Sequence, residues 1–258
     1  MKLAITTLFI FIFLNMTAQN TFIAHRGASY LAPENTVASA KLAWELGADA
    51  VECDIHLSMD NRIMVIHDSD TKRTCKSKKN IKVVESPSTL LRDLDAGIWK
   101  DPQFKGEKIP FLSEIVETAP EGKMLVVEIK CGIEVVPPLI RFMEKSKKTE
   151  QIVFICFDWE IIVELKKTFP ANKCYWLSGS KNGLSKKIKE AAGNDLDGVN
   201  LHYSVIDEEI VKVAKENNLE VLAWTVDKPA EAKRLTEIGV TKITTNRPKW
   251  LKEEMGKL

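Results

Sequence analysis

A (β/α)8 TIM barrel with a small insertion after the second strand is the fold this sequence predicts, on three observations. Short apolar, β-branched runs alternate with helical patterns from Thr21 to the C-terminus, as expected of parallel strands joined by crossover helices. Eight strand–helix units can be counted along the chain, enough to close one barrel. With 258 residues, 45% of them hydrophobic and 28% charged, the chain can bury a sizeable core, which excludes disorder and a disulfide-held miniprotein.

The elements follow in order. Lys2 precedes the apolar run 3–14, and the small or polar residues Asn15, Thr17, Ala18 and Gln19 come next. Residues 1–19 are thus expected to be a secretory signal, too short to span a membrane comfortably, with the protein exported to the periplasm or secreted. No cysteine lies near the expected cleavage point, so a lipid anchor is not expected. Residues 20–258 then form a single barrel domain. Its strands are expected at Thr21–His25, Asp49–Ile55, Ile63–His67, Met124–Ile129, Ile152–Cys156, Lys173–Leu177, Asp197–Leu201, Glu220–Thr225 and Lys242–Thr245. The turn signal 58–61 leaves no room for a helix between the second and third of these. Ile63–His67 is therefore expected to fold back as a hairpin arm, leaving eight barrel strands. Helices are expected at Asn35–Leu46, Ser113–Thr118, Val135–Lys147, Asp158–Thr168, Leu184–Ala192, Asp207–Asn217, Pro229–Ile238 and Pro248–Met255. The stretch Ser69–Pro110, rich in Lys, Pro and Gly, is the insertion on the rim.

The five cysteines, Cys53, Cys75, Cys131, Cys156 and Cys174, are odd in number and lack paired spacing. They are expected to be packed thiols with no essential disulfide. A formal net charge of +1 gives no overall electrostatic footprint for nucleic acid or an anionic membrane, so an anionic substrate must be recognised locally.

Active sites of such barrels lie at the C-terminal ends of the strands. There the sequence reads His25-Arg26-Gly27, Glu52-Cys53-Asp54, His67-Asp68 and Glu128-Ile129-Lys130. Strand alternation places Glu52 and Asp54 on one face, with Cys53 turned to the helices, and likewise pairs Glu128 with Lys130. A lone strand-end carboxylate is often a solvated rim residue, and a lone histidine a satisfied one. That reading does not account for two His, three carboxylates, one Arg and one Lys at one end of one barrel. Three converging carboxylates repel one another unless a cation neutralises them, and oxygen ligands suit Mg²⁺ or Ca²⁺. Arg26 and Lys130 suit non-bridging phosphate oxygens, and two imidazoles suit proton transfer, so the set points to phosphoryl chemistry.

The ordered series His25-Arg26-Gly27-Ala28, Pro33-Glu34-Asn35-Thr36, Glu52-x-Asp54, His67-Asp68, Glu128-x-Lys130, Ala223-Trp224-Thr225-Val226 and Thr244-Thr245-Asn246-Arg247-Pro248 resembles the glycerophosphodiester phosphodiesterase family. The resemblance spans nearly the whole chain after residue 20. It implies a metal-dependent hydrolase cleaving a small-molecule glycerophosphodiester into sn-glycerol 3-phosphate and an alcohol. By motif, it implies Glu52, Asp54 and Glu128 as ligands of one divalent cation, Mg²⁺ or Ca²⁺. It implies His25 and His67 as the acid–base pair, here His25 as base and His67 as acid, and Arg26 and Lys130 as phosphate contacts.

Trp224 can line the substrate pocket or pack in the core. Asn246 stands where the family often carries an acidic residue, and is expected at the rim, away from the metal and the acid–base pair. Asn35 is expected to cap the first helix, and His56 and His202 to be rim residues. The cluster Lys72, Arg73, Lys76, Lys78 and Lys79 is expected to be a solvated loop face. Two alternatives stay open: a phospholipase C or D type enzyme acting on intact lipids, and a non-catalytic barrel that only binds glycerophosphodiesters. The first wants an apolar patch at the barrel mouth, the second a missing ligand or imidazole. Direct hydrolysis and a route through a cyclic phosphate are both open, as is the oligomeric state. No nucleic-acid partner and no lasting membrane insertion are expected.

Overall fold

The computed structural model describes residues 20–75 and 80–257. The expected signal, residues 1–19, and Lys76, Lys78 and Lys79 of the basic cluster lie outside the described residues. Eight parallel strands close into a barrel: β1 (Thr21–Ala24), β2 (Ala50–Leu57), β4 (Met124–Ile129), β5 (Ile152–Cys156), β6 (Lys173–Ser178), β7 (Gly198–His202), β8 (Glu220–Trp224) and β9 (Lys242–Thr245). β9 pairs with β1, and β1 with β2, which removes both sheet edges. The ninth strand, β3 (Ile63–Val65), is antiparallel to the far end of β2, with Ile55 opposite Val65 and Leu57 opposite Ile63. Residues Ala50–Ile55 of the same β2 pair with β4. β2 therefore serves the barrel with its first part and carries a hairpin arm above the C-terminal rim with its last.

Both faces of these strands are covered, which is why they read as continuous apolar runs. On β2, Val51, Cys53 and Ile55 face the helices, while Ala50 joins the barrel interior with Ile23, Val126, Val153, Ile155, Tyr175, Leu177 and Leu222. Every second residue of a strand thus points at the axis, and near the C-terminal ends those positions turn polar.

The helices are α1 (Val37–Glu45), α2 (Ser88–Arg92), α3 (Leu112–Thr118), α4 (Val136–Lys145), α5 (Trp159–Thr168), α6 (Leu184–Gly193), α7 (Glu208–Glu216), α8 (Pro229–Glu237) and α9 (Pro248–Met255). Local chemistry starts several of them. The Asp158 carboxylate accepts from Glu160 N at the head of α5, the Asp207 carboxylate accepts from Ile210 N at α7, and proline opens α8 and α9. At α1 the cap is Thr36, whose Oγ1 accepts from Ser39 N at 3.1 Å. Asn35, expected in that role, has another partner described below.

Between β3 and α3 the insertion has its own small core, in which Met64, Ile66, Cys75, Val83, Leu91, Ala96 and Ile109 pack together. α2 lies within it and was not anticipated, because five residues are too few to show helical periodicity. All five cysteines are free, four of them buried and Cys131 half-buried, in keeping with packed thiols. Among the described residues no helix is long and apolar enough to cross a membrane.

Candidate active site

The turn after β1 is built around two consecutive left-handed residues, Arg26 at φ 56° and Gly27 at φ 79°. Glycine is required at the second: a Cβ there would lie 2.4 Å from Ser39 Oγ and 2.7 Å from the Ser39 carbonyl carbon. Hydrogen bonds fix the strained Arg26 peptide from both sides. Its N–H donates to Glu52 Oε2 at 2.8 Å, and its carbonyl accepts from Ser39 Oγ at 2.9 Å and Asn35 N at 3.1 Å. Strain at a non-glycine residue survives only where the surroundings enforce it. Here they aim Arg26 across the end of β2.

Glu52, Asp54 and Glu128 are 2%, 0% and 7% exposed, and one oxygen from each lies within 4.8 Å of the other two. The register explains the meeting, since Asp54 and Glu128 are direct partners on β2 and β4. Two cations border the group. Arg26 Nε is 3.2 Å from Asp54 Oδ2, while Lys130 Nζ is 3.4 Å from Asp54 Oδ1 and 2.5 Å from Glu128 Oε1. Burial and the neighbouring Asp54 and Glu128 charges hold the Glu52 carboxyl well above the usual carboxylate range. Burial, then Asp54, push Glu128 up to about 7. Burial acts on Asp54 in the same sense, but Arg26 and Lys130 outweigh it and keep that carboxyl low.

Glu52 Oε1, Asp54 Oδ1 and Glu128 Oε1 make no well-aligned hydrogen bond among the described residues, although the Lys130 ammonium stands beside the last two. Three adjacent buried carboxylates, each offering an oxygen within 4.8 Å of the others, are the donor set a hard divalent cation takes. The residues fit a metal site. Asn35, at φ 57°, supports it from behind: its Nδ2 donates to Asp54 Oδ2 at 2.8 Å and its Oδ1 accepts from Asp54 N at 3.1 Å. It is a support of the carboxylate group and not a helix cap.

The two imidazoles face the same cavity with different backing. His25 Nδ1 lies 2.8 Å from Asn246 Oδ1. Asn246 in turn donates from Nδ2 to Asp227 Oδ2 at 2.6 Å and from its backbone N to Asp227 Oδ1 at 2.9 Å. With its amide nitrogen committed to a carboxylate, Asn246 presents an acceptor, so His25 Nδ1 carries the proton and Nε2 is left as a base. Burial, then Arg26, keep the His25 pKa below the ordinary imidazole value. Asn246, expected to touch neither metal nor acid–base pair, in fact contacts His25, one of the two imidazoles expected to form that pair. The sequence offered no sign of this, because 221 positions separate the partners.

His67 Nδ1 instead donates to a carboxylate, Asp68 Oδ1, at 2.6 Å. Arg73, then His67 itself, hold that carboxyl at about 2. Arg73 contacts Asp68 through Nε at 2.7 Å and reaches Glu34 with NH1 at 2.7 Å and NH2 at 2.8 Å, while Glu34 also accepts from Arg26 NH1 at 2.9 Å. Arg73 is exposed, as expected of the loop face, but it is ion-paired as well as solvated. It ties the insertion to the site, since the paired carboxylates come from the β1 turn and the hairpin arm. His56, expected on the rim, is buried on the Glu52/Asp54 face and donates from Nε2 to the His67 carbonyl at 3.0 Å. His202 does stand at the rim, its ring 5.1 Å from that of Trp224.

All of this surrounds one cavity of about 210 Å³, lined on one side by His25, Arg26, Glu52, His67, Glu128 and Lys130. Trp224 lines the opposite wall, packed edge-on against Phe157, with its indole N–H donating to the Asn200 carbonyl at 3.1 Å. Every residue singled out by sequence for the site is brought to this cavity or, as with Asp54, directly beneath it. A larger groove of about 490 Å³ runs along the barrel exterior past Arg62, Phe111 and Phe142 and contains none of these groups.

Fold and site together define a class: barrel enzymes with a buried carboxylate cluster fit to hold a metal and two imidazoles on one cavity, suited to phosphoryl substrates. The comparisons narrow it. Residues 25–250 match the model of the glycerophosphoryl diester phosphodiesterase family, and the chain belongs to that family. A glycerophosphodiester phosphodiesterase of Caldanaerobacter subterraneus subsp. tengcongensis is 34% identical over 234 residues, which cover 89% of this chain and 95% of the relative. A Bacillus subtilis glycerophosphodiester phosphodiesterase is 28% identical, over 88% of this chain and 83% of its own. Among solved structures, an Oleispira antarctica phosphodiesterase in complex with the product sn-glycerol-3-phosphate superposes with a TM-score of 0.84 at 26% identity, over 92% of this chain and 97% of that one.

Proposed function

We propose that this protein is a metal-dependent phosphodiesterase that hydrolyses glycerophosphodiesters to sn-glycerol 3-phosphate and an alcohol. The observation that carries the reading is the cluster of buried carboxylates on Glu52, Asp54 and Glu128 beside two differently backed imidazoles. Family membership and the product bound by the Oleispira antarctica relative support the substrate class. A non-catalytic barrel would lack a ligand or an imidazole, and all five positions are filled.

Held by the three carboxylates, a hard divalent cation, Mg²⁺ or Ca²⁺, supplies Lewis acidity and charge neutralisation at the phosphate. Arg26 and Lys130 offer donors to its non-bridging oxygens, and Trp224 walls the pocket opposite. His25 Nε2 takes the proton of the attacking hydroxyl as the new P–O bond forms. His67, its Nδ1–H anchored on the Asp68 carboxylate, gives its Nε2 proton to the departing alcohol oxygen as the ester bond breaks. Asp54 and Asn35 keep the carboxylate cluster rigid beneath the phosphate. Export through residues 1–19 belongs to the same proposal, and would be checked by N-terminal sequencing of the protein recovered outside the cytoplasm.

The test is ³¹P NMR of a substrate panel (glycerophosphocholine, glycerophosphoethanolamine, glycerophosphoglycerol, glycerophosphoinositol, a lysophospholipid and phosphatidylinositol) with wild type, His25→Ala and His67→Ala. Glycerol 3-phosphate is expected from the water-soluble diesters, with each variant slowed about 10²- to 10⁴-fold. Cleavage of the intact lipids alone would replace this reading with a phospholipase.

A further inference from the structure

The buried side-chain polar atoms that make no well-aligned hydrogen bond among the described residues are Arg26 Nε, Glu52 Oε1, Asp54 Oδ1, Glu128 Oε1 and Asn200 Oδ1. Four belong to the charged group already described, where the proposed cation and phosphate would satisfy them. The fifth stands across the cavity.

Asn200 lies in the middle of β7 and is 2% exposed. Its neighbours Val199 and Leu201 belong to the shell that faces the helices, so strand alternation turns Asn200 toward the barrel axis. Its register partners on either side are Leu177 and Leu222, both apolar residues of the interior. An amide has been placed in an apolar ring and lines the cavity wall. Its backbone carbonyl is used by the Trp224 indole, but the side-chain oxygen has no partner. Such an orphan destabilises a fold, and an apolar side chain of similar size would suit the ring better. The position makes physical sense when a ligand supplies the missing donor.

The chemistry of that donor follows from the wall around it. Ile155, Phe157, Leu177, Trp224, Thr225 and Thr244 share this half of the cavity and carry no formal charge, whereas His25, Arg26, Glu52, His67, Glu128 and Lys130 share the other. With the phosphate drawn to the charged half, Asn200 meets the alcohol portions of the diester, whose hydrogen-bond donors are hydroxyls or, in an ethanolamine ester, an ammonium; this half carries no carboxylate to pair with an ammonium, which favours a hydroxyl. We propose that Asn200 is a specificity-determining residue whose Oδ1 accepts a hydrogen bond from a hydroxyl of the diester, carried either by its glycerol or by its second alcohol. The inference rests on the proposed function and adds to it the group by which substrates are told apart.

The experiment compares kcat/KM for wild type, Asn200→Leu and Asn200→Ala in two pairs of diesters, following phosphomonoester formation by ³¹P NMR. Glycerophosphoglycerol against glycerophosphoethanol removes hydroxyls from the second alcohol. Glycerophosphoethanol against the ethanol diester of 1,2-propanediol phosphate removes one from the glycerol. Wild type is expected to prefer the hydroxylated member of one pair by about tenfold or more, and both variants to lose that preference while the ratio in the other pair is unmoved. The pair that collapses assigns the hydroxyl. A purely structural Asn200 would alter melting temperature and leave both ratios where they were, and that result, in either folded variant, overturns the proposal. Failure of wild type to hydrolyse any of these diesters would instead refute the proposed function, and the inference would fall with it.

Discussion

His25 and His67 are the same side chain in two electrostatic settings, and what lies behind each Nδ1 decides what its Nε2 can do. A neutral amide backs His25, a carboxylate backs His67. Exchanging the neutral acceptor for a charged one should move the base. In Asn246→Asp the imidazolium of His25 gains an anionic partner, its pKa rises, and His25, the proposed base, stays protonated to higher pH. The acid limb of the kcat/KM profile is therefore expected to move to higher pH relative to wild type, with the rate on the alkaline plateau largely kept. Asn246→Ala removes the tautomer lock and should cost about 10- to 100-fold in kcat at every pH. With only four histidines in the chain, ring ¹⁵N shifts of selectively labelled protein would report the His25 tautomer directly. The carboxylates and Lys130 were legible from sequence because alternation along a strand decides which residues share a face, and His25, Arg26 and His67 because they directly follow strand-like apolar runs. The contacts of Asn246 and Asp227 were not, because these residues lie in loops that meet only once the barrel has closed, and that of His56 was not, because its partner is a backbone carbonyl beyond the hairpin arm.

At the scale of elements, the turn between β1 and α1 sets the geometry of the rim. Gly27→Ala puts a Cβ into Ser39 in a backbone conformation that alanine resists. The variant should lose at least about 1–3 kcal/mol of stability, visible as a lower urea midpoint with unchanged slope, and should lose activity as Arg26 drifts. The strand segments were readable because a parallel strand covered on both faces is an uninterrupted apolar run. The insertion was readable only in outline. Its charges suggested a solvated loop, yet Arg73 is ion-paired with Glu34 and Asp68, a contact between segments 39 and 5 positions away. Composition cannot distinguish an arginine facing water from one that spans two carboxylates.

Across the whole molecule the two ends of the barrel have different tasks. The C-terminal end gathers the unsatisfied groups, while at the N-terminal end a satisfied cluster joins three strands: Glu220 of β8 accepts from Lys173 at 2.7 Å and Tyr175 at 2.5 Å on β6, and pairs with Lys242 on β9. Burial acts to raise the Glu220 carboxyl, but Lys173, Lys242 and Tyr175 outweigh it and hold it at about 2, against an ordinary 4.5. A carboxyl lowered in the folded state stabilises above its unfolded value and loses that contribution as pH falls through its folded one. The melting-temperature gap between wild type and Glu220→Gln is therefore expected to be full at pH 6–7 and to close between about pH 4.5 and about 2.

The central claim, that three buried carboxylates hold a cation on which diester hydrolysis depends, is tested most directly by glycerol 3-phosphate release from protein stripped with chelator and then titrated with Mg²⁺ or Ca²⁺, wild type beside Glu52→Ala. The account predicts no release without metal, saturable recovery in wild type and none in the variant. Equal turnover in chelator and in metal, or full recovery in Glu52→Ala, would contradict it.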